Sequence, residues 1–148
     1  MYKILLATDG SAGANKATEY AVKLCENRPD AEVTVLFVKE PAGYWGVGGD
    51  PKELVIPDTR AVQESLERAA RQALDSAQGI LQKTGKRAIL RTEVGRAHET
   101  ICSIAETENF DQVVMGKRGL GTIAGLLLGS VSNRVVHTCK VPVTVVHE

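Results

Sequence analysis

Short apolar runs of strand length alternate along this chain with longer stretches of helical periodicity. That alternation restricts the fold more than any other feature. Residues 3–7, 32–38, 87–94, 112–115 and Val141–His147 read as strands. The first is mostly apolar without clean in–out alternation, which suits a parallel sheet covered on both faces. Between the strands, Ala14, Ala17, Ala21, Leu24 and Cys25 recur at helical spacing. So do Val62, Leu66, Ala69, Ala73, Ala77, Ile80 and Leu81 over residues 59–83, with Gly85 just beyond as a helix stop. Ile101, Ile104 and Ala105 mark a third helix, and Val131, Val135, Val136 and Cys139 a fourth. Strand–helix alternation implies right-handed crossovers and an α/β fold: five parallel strands with helices on both faces. Strand order does not follow from periodicity.

At 148 residues the chain is expected to form one domain, residues 1–148, with a substantial core. Eighteen basic and eighteen acidic residues balance, so no general attraction to nucleic acid or an anionic membrane is expected. No apolar run approaches the ~20 residues of a transmembrane helix. Met1-Tyr2-Lys3 leads directly into a strand, leaving no room for a signal peptide, so a cytoplasmic location is expected. Cys25, Cys102 and Cys139 are far apart and fit no zinc or redox motif. They read as buried small apolar residues.

The stretch that carries chemistry is GKRGLGTIAGLLLGSVS, residues 116–132, directly after Val113-Val114-Met115. Gly116, Gly119 and Gly129 punctuate it, and Gly129-Ser130 opens the last helix. Glycine suits tight turns and close backbone approach, and the first amides of a helix lack intrahelical partners and receive anions. Lys117 and Arg118 add positive charge. Strand end, glycine loop, cations and helix start together suggest a phosphate cradle, against the plainer reading of glycines that only turn the chain. A Walker A pattern is absent from the sequence. Gly119-x-Gly121-x-x-Ala124 imitates the dinucleotide fingerprint, but it starts past the strand end and lacks the acidic residue about 20 positions later. Asp9, at the end of the first strand, reads either as a turn or cap residue or as a ligand contact. In open α/β sheets ligands sit outside the carboxyl ends of strands at the switch in strand order, so Asp9 and the Gly116 loop would border one crevice if their strands are neighbours. His98 reads as a surface histidine.

The spacing Gly116-x2-Gly119-x9-Gly129-Ser130 resembles the nucleotide-binding signature of the universal stress protein family. Lys3-Ile-Leu-Leu-Ala-Thr-Asp-Gly-Ser11 resembles its opening strand and loop, and Val141-Pro-Val-Thr-Val-Val146 its closing strand. The resemblance implies a Rossmann-like sheet in the order 3-2-1-4-5 and an ATP site. In that site Asp9, flanked by Ala7 and Thr8, and the backbone of Val38 would hold the nucleoside. Gly116, Gly119, Gly129 and Ser130 would hold ribose and phosphates, assisted by the amides of Val131 and Ser132. The hydroxyls of Ser130 and Ser132 would serve as donors, and Met115 and Arg118 border the site by position. Mg²⁺ or Mn²⁺ could accompany the phosphates, although no carboxylate cluster marks a dedicated metal site. A valine-rich terminal strand left open would be an aggregating edge, and the family commonly covers Val141–His147 by dimerising through it. The expectation is an ATP-binding, homodimeric sensor or regulator. The alternatives are a slow ATP-hydrolysing enzyme and a nucleotide-independent dimeric interaction protein. Against dedicated catalysis, Ala7-Thr-Asp-Gly-Ser11 does not match the Ser-Gly-Gly-x-Asp-Ser loop of related pyrophosphatase-type folds.

Two further segments carry expectations. Pro41–Asp58, rich in proline and glycine around Tyr44 and Trp45, reads as a long loop, either a lid or partner contact or a strap pinned by Trp45. Leu120, Ile123, Leu126, Leu127 and Leu128 should pack on the body or a partner, because burying a leucine-sized side chain contributes roughly 1.5–3 kcal/mol.

Overall fold

The computed structural model describes residues 1–40, 60–120 and 127–148. Five strands and four helices alternate: β1 (Tyr2–Ala7), α1 (Ala12–Asn27), β2 (Ala31–Lys39), α2 (Arg60–Gln82), β3 (Ile89–Val94), α3 (Ala97–Thr107), β4 (Gln112–Gly116), α4 (Ser130–Thr138) and β5 (Val143–Val146). The strands form one sheet in the order β3-β2-β1-β4-β5, and every neighbouring pair is parallel. The order reverses between β1 and β4, the place where an open α/β sheet leaves a crevice. The third and fifth strands are shorter than the stretches expected for them. β3 starts at Ile89 and β5 spans four residues.

Why the strands lack alternation is visible in β1. Ile4 and Leu6 pack into one core with Ala17 and Ala21 of α1 and Ala73 and Ala77 of α2. Leu5 and Ala7 pack into a second core with Ile101 and Ala105 of α3 and Val135 of α4. Successive side chains point to opposite faces, and both faces are covered, so apolar residues are needed at every position. Small residues on α1 and α2 let those helices lie close to the sheet. The closest approach pairs Gly13 of α1 with Gly116 at the end of β4. A Cβ on Gly116 would stand 2.6 Å from the Gly13 carbonyl carbon, and one on Gly13 would stand 2.6 Å from the Arg118 carbonyl oxygen. The absent side chain of Gly116 is therefore required by the chain itself, before any ligand is considered.

Two expectations need correction. Cys102 and Cys139 are disulfide-bonded with their Cα atoms 5.0 Å apart, because α3 packs on α4; only Cys25 is a free, buried thiol. A separation of 37 positions concealed that proximity. Leu120 and Leu127 are 70% and 82% exposed in the single chain, so of the two alternatives, body or partner, packing on the body fails for these leucines, while Leu128 is half-buried. Along α2 the fully buried positions begin at Ala70; Val62 and Leu66, nearer its start, and Ile80, near its end, are half-buried. The segment Pro41–Asp58 with Trp45 lies outside the described residues, as do Ile123 and Leu126.

Candidate functional site

At the carboxyl ends of β1, β2 and β4 a crevice contains about 680 Å³ of empty space, its solvent-facing mouth included. Ala7, Thr8 and Asp9 enter it from the end of β1, Val38 from β2, and Met115, Gly116, Arg118 and Gly119 from β4 and its loop. Gly129, Ser130, Val131 and Ser132 enter it from the start of α4. All twelve residues singled out in the sequence thus border one cavity. Six others line it that sequence reading missed: Ser11, Ala14, Leu36, Ala97, Ile101 and Leu120. Of these, Ser11 had a local signal as a helix cap, and its Oγ accepts the Ala14 amide at 3.1 Å. Leu36, Ala97 and Ile101 look like any core residue.

The polar side is built from backbone. Gly129 is the N-cap of α4 and donates its own amide to the Lys117 carbonyl at 2.8 Å. Its carbonyl accepts the amide of Asn133, so the amides of Ser130, Val131 and Ser132 form the first turn, where helical donors have no partner within the helix. Their partial positive charge favours an anion. The Ser132 hydroxyl, expected to donate to a ligand, is instead directed to the Lys117 carbonyl at 2.6 Å and the Gly129 carbonyl at 3.1 Å. Its single proton is committed to holding the loop. Ser130 is exposed. Arg118 sits over this side with Nη2 3.7 Å from the Glu148 carboxylate, while its buried Nε has no hydrogen-bond partner among the described residues.

Asp9 bridges the two loops. Its Oδ1 accepts the Ser11 amide at 3.0 Å, and its Oδ2 accepts the Leu120 amide at 2.8 Å. It shapes its own turn and borders the crevice. A Cβ on Gly119 would stand 2.1 Å from Asp9 Oδ2, so a side chain there would push the carboxylate out of this position.

The opposite side is apolar, made by Leu36, Val38, Ala97 and Ile101. The β2 backbone adds a polar edge to it. Thr8 donates its amide to the Leu36 carbonyl, and Gly95 donates its amide to the Lys39 carbonyl on the other side. Backbone groups two residues apart face the same way in a strand, so the amide and carbonyl of Val38 face the β1 side. β1 has already ended there, at Ala7 opposite Leu36. Glu40 at the end of β2 accepts the Ala97 amide and so caps α3, whose own N-cap, Arg96, makes no side-chain cap bond. His98 beside it is held below its ordinary pKa, chiefly by burial and then by the Arg134 guanidinium. Among the described residues no group of three or more His, Cys, Asp or Glu side chains comes together as a metal site, and no helix is long and apolar enough to cross a membrane.

The universal stress protein family profile matches residues 1–147. The chain belongs to the universal stress protein family. A universal stress protein of Thermus aquaticus is 35% identical over 148 residues, 99% of either chain. Universal stress protein MJ0577 of Methanocaldococcus jannaschii is 31% identical over 156 residues, 99% of this chain and 95% of its own. A relative in Mycolicibacterium smegmatis is 30% identical over 99% of this chain, which spans only 48% of that longer protein. Among solved structures, MJ0577 superposes with a TM-score of 0.80 at 27% identity, covering 99% of this chain and 95% of the other. A universal stress protein in complex with cAMP shares the fold at a TM-score of 0.66 and 24% identity, over 99% and 96% of the two chains.

Proposed function

We propose that the chain binds ATP in the crevice between β1 and β4 and works as a nucleotide-dependent, homodimeric sensor or regulator of the stress response. The observation that carries this reading is the convergence of the unpaired first-turn amides of α4 with Asp9 on one cavity. In this reading the amides of Ser130, Val131 and Ser132 receive the phosphates, with the Ser130 hydroxyl and the unpartnered Nε of Arg118 beside them. Asp9 holds the ribose, exchanging the Leu120 amide for a sugar hydroxyl. The base lies against Leu36, Val38 and Ile101 and pairs with the free backbone edge of Val38, a match for the donor and acceptor that adenine presents on adjacent atoms. Met115, Ala7 and Thr8 form the floor. Any Mg²⁺ or Mn²⁺ would be carried by the phosphates, since Asp9 is the one carboxylate lining the crevice among the described residues. A universal stress protein of the same fold has been solved in complex with cAMP.

The test is to purify the protein without added ligand, identify any nucleotide released on denaturation, and titrate ATP calorimetrically into the stripped protein. Saturable binding that Gly129→Val abolishes in a folded variant supports the site; undiminished affinity in that variant refutes it. Intact ATP after prolonged incubation supports a sensor, whereas several turnovers per minute would transfer the site to the ATP-hydrolysing alternative. Absence of binding by the wild type would leave the nucleotide-independent interaction protein. For the dimer, the support is that β5 is flanked by β4 alone and its four residues stay half-buried at the sheet edge. Light scattering should give about twice the chain mass of 15.9 kDa, and a monomer mass at working concentration would remove that part.

A further inference from the structure

The disulfide joins the two helices that flank the crevice on one face of the sheet. Cys102 lies in the middle of α3 and Cys139 is the C-cap of α4. α3 supplies Ala97 and Ile101 to the apolar side of the crevice, and α4 supplies Ser130, Val131 and Ser132 to the polar side. With nine residues, α4 is a rod of roughly 13 Å, short enough that a restraint at its last turn also limits its first. Its remaining attachments are non-covalent. Val135 is fully buried, Gly129 donates to the Lys117 carbonyl, and the amide of Lys140, just past the helix, donates to Glu106 of α3 at 3.0 Å. These contacts do not depend on the sulfur–sulfur bond, so breaking it would loosen α4 without detaching it.

Access is asymmetric. Cys102 is 7% exposed, while Cys139 is half-buried at the surface end of α4, so an incoming thiol reaches the Cys139 sulfur first. The third cysteine does not compete. Cys25 is 2% exposed and belongs to the core on the opposite face of the sheet, where burial pushes its thiol pKa up.

We infer that Cys102 and Cys139 form a reversible thiol–disulfide modification site, exchanging with small thiols and their disulfides, that sets how firmly the phosphate-facing turn of α4 is held. The inference rests on the nucleotide reading above for its effect on affinity. In reduction, a small thiolate attacks Sγ of Cys139 to form a mixed disulfide, and Cys102 leaves as a thiolate that takes a proton. A second small thiolate then attacks the small-molecule sulfur of the mixed disulfide, releasing Cys139. Two small thiols become one small disulfide while one protein disulfide becomes two thiols, and oxidation is the reverse. A turn held in place loses less freedom on binding an anion, so the oxidised form is the tighter binder. Linkage requires the converse: bound nucleotide shifts the pair toward the disulfide by the same factor.

The experiment equilibrates the full chain in excess oxidised or excess reduced glutathione, counts thiols after denaturation, and titrates ATP into each form. One reactive thiol, Cys25, is expected in the oxidised form and three in the reduced form. ATP affinity is expected to be about fivefold higher in the oxidised form. The double variant Cys102→Ser/Cys139→Ser should bind like the reduced form in both buffers, and Cys25→Ser should respond as the wild type does. Three thiols in both buffers, or equal ATP affinity of the two forms, overturns the inference. If neither form binds ATP, the nucleotide reading fails separately, and hydrogen exchange at the amides of Val131 and Ser132 then decides. Slower exchange in the oxidised form sustains the restraint on α4, and equal exchange overturns it.

Discussion

The two sides of the crevice are made of different material. The polar side is backbone: glycines, first-turn amides and carbonyls held by Asp9 and Ser132. The apolar side is side chains of the core, Leu36 and Ile101 among them, continuous with the packing of α3 and α4. The difference teaches that a site can be half punctuation and half core. The first half leaves a mark in the residue types, because only glycine or a helix-capping residue tolerates the geometry. The second half leaves none, because the same leucine or isoleucine would be chosen to fill the protein.

The contrast predicts that one side fails through stability and the other through geometry. The largest effect is expected at Ile101→Ala, which deletes a buried side chain from the core beneath the apolar side. It should cost about 2–5 kcal/mol, read as a lower midpoint in urea unfolding; a change near zero would mean that this wall is not part of the core. Next comes Gly116→Ala, at about 1–3 kcal/mol. Its new Cβ would meet the Gly13 backbone, which cannot turn aside as a side chain can. If the variant unfolds like the wild type, the α1–β4 approach is not as close as described.

Ser132→Ala sharpens the comparison within the polar side. Loss of a hydroxyl bonded to two buried or half-buried carbonyls should cost about 1–2 kcal/mol but change nucleotide affinity little, because its proton already points inward. Ser130→Ala should do the reverse, lowering affinity with little change in stability. Calorimetry and unfolding on both variants check this, and matching profiles for the two serines would erase the distinction.

The smallest effect is a pH dependence at the apolar side, where α3 begins. Burial and Arg134 lower the pKa of His98 in the folded protein, so the unfolded chain binds the proton more readily. Stability is then complete above the unfolded value of about 6.5 and declines as pH falls from there through the lower folded value. His98→Asn should flatten that decline in unfolding curves taken on either side of pH 6, and an unchanged slope would mean that another group titrates.

Much of this architecture was legible along the chain. Alternating strand and helix periods defined the class, since covering both faces of a parallel sheet leaves apolar residues at consecutive positions such as Ile4, Leu5 and Leu6. The glycine loop and Asp9 were legible because they sit where a strand ends and a helix begins. What stayed hidden involved partners distant in sequence. Nothing near Gly13 announces that it must touch Gly116, and nothing near Ser132 announces which carbonyls take its proton.

The chain's own chemistry, acting over a few neighbouring residues, determined the elements, their number and the amide-rich turn at Gly129. Only the folded arrangement decided that Cys102 meets Cys139, that Asp9 reaches the Leu120 amide, and that Leu36 and Ile101 wall a cavity. The physical reason is range. Backbone preference and periodicity are set within a turn of helix or a pair of strand positions, whereas contact between distant segments depends on how whole layers pack.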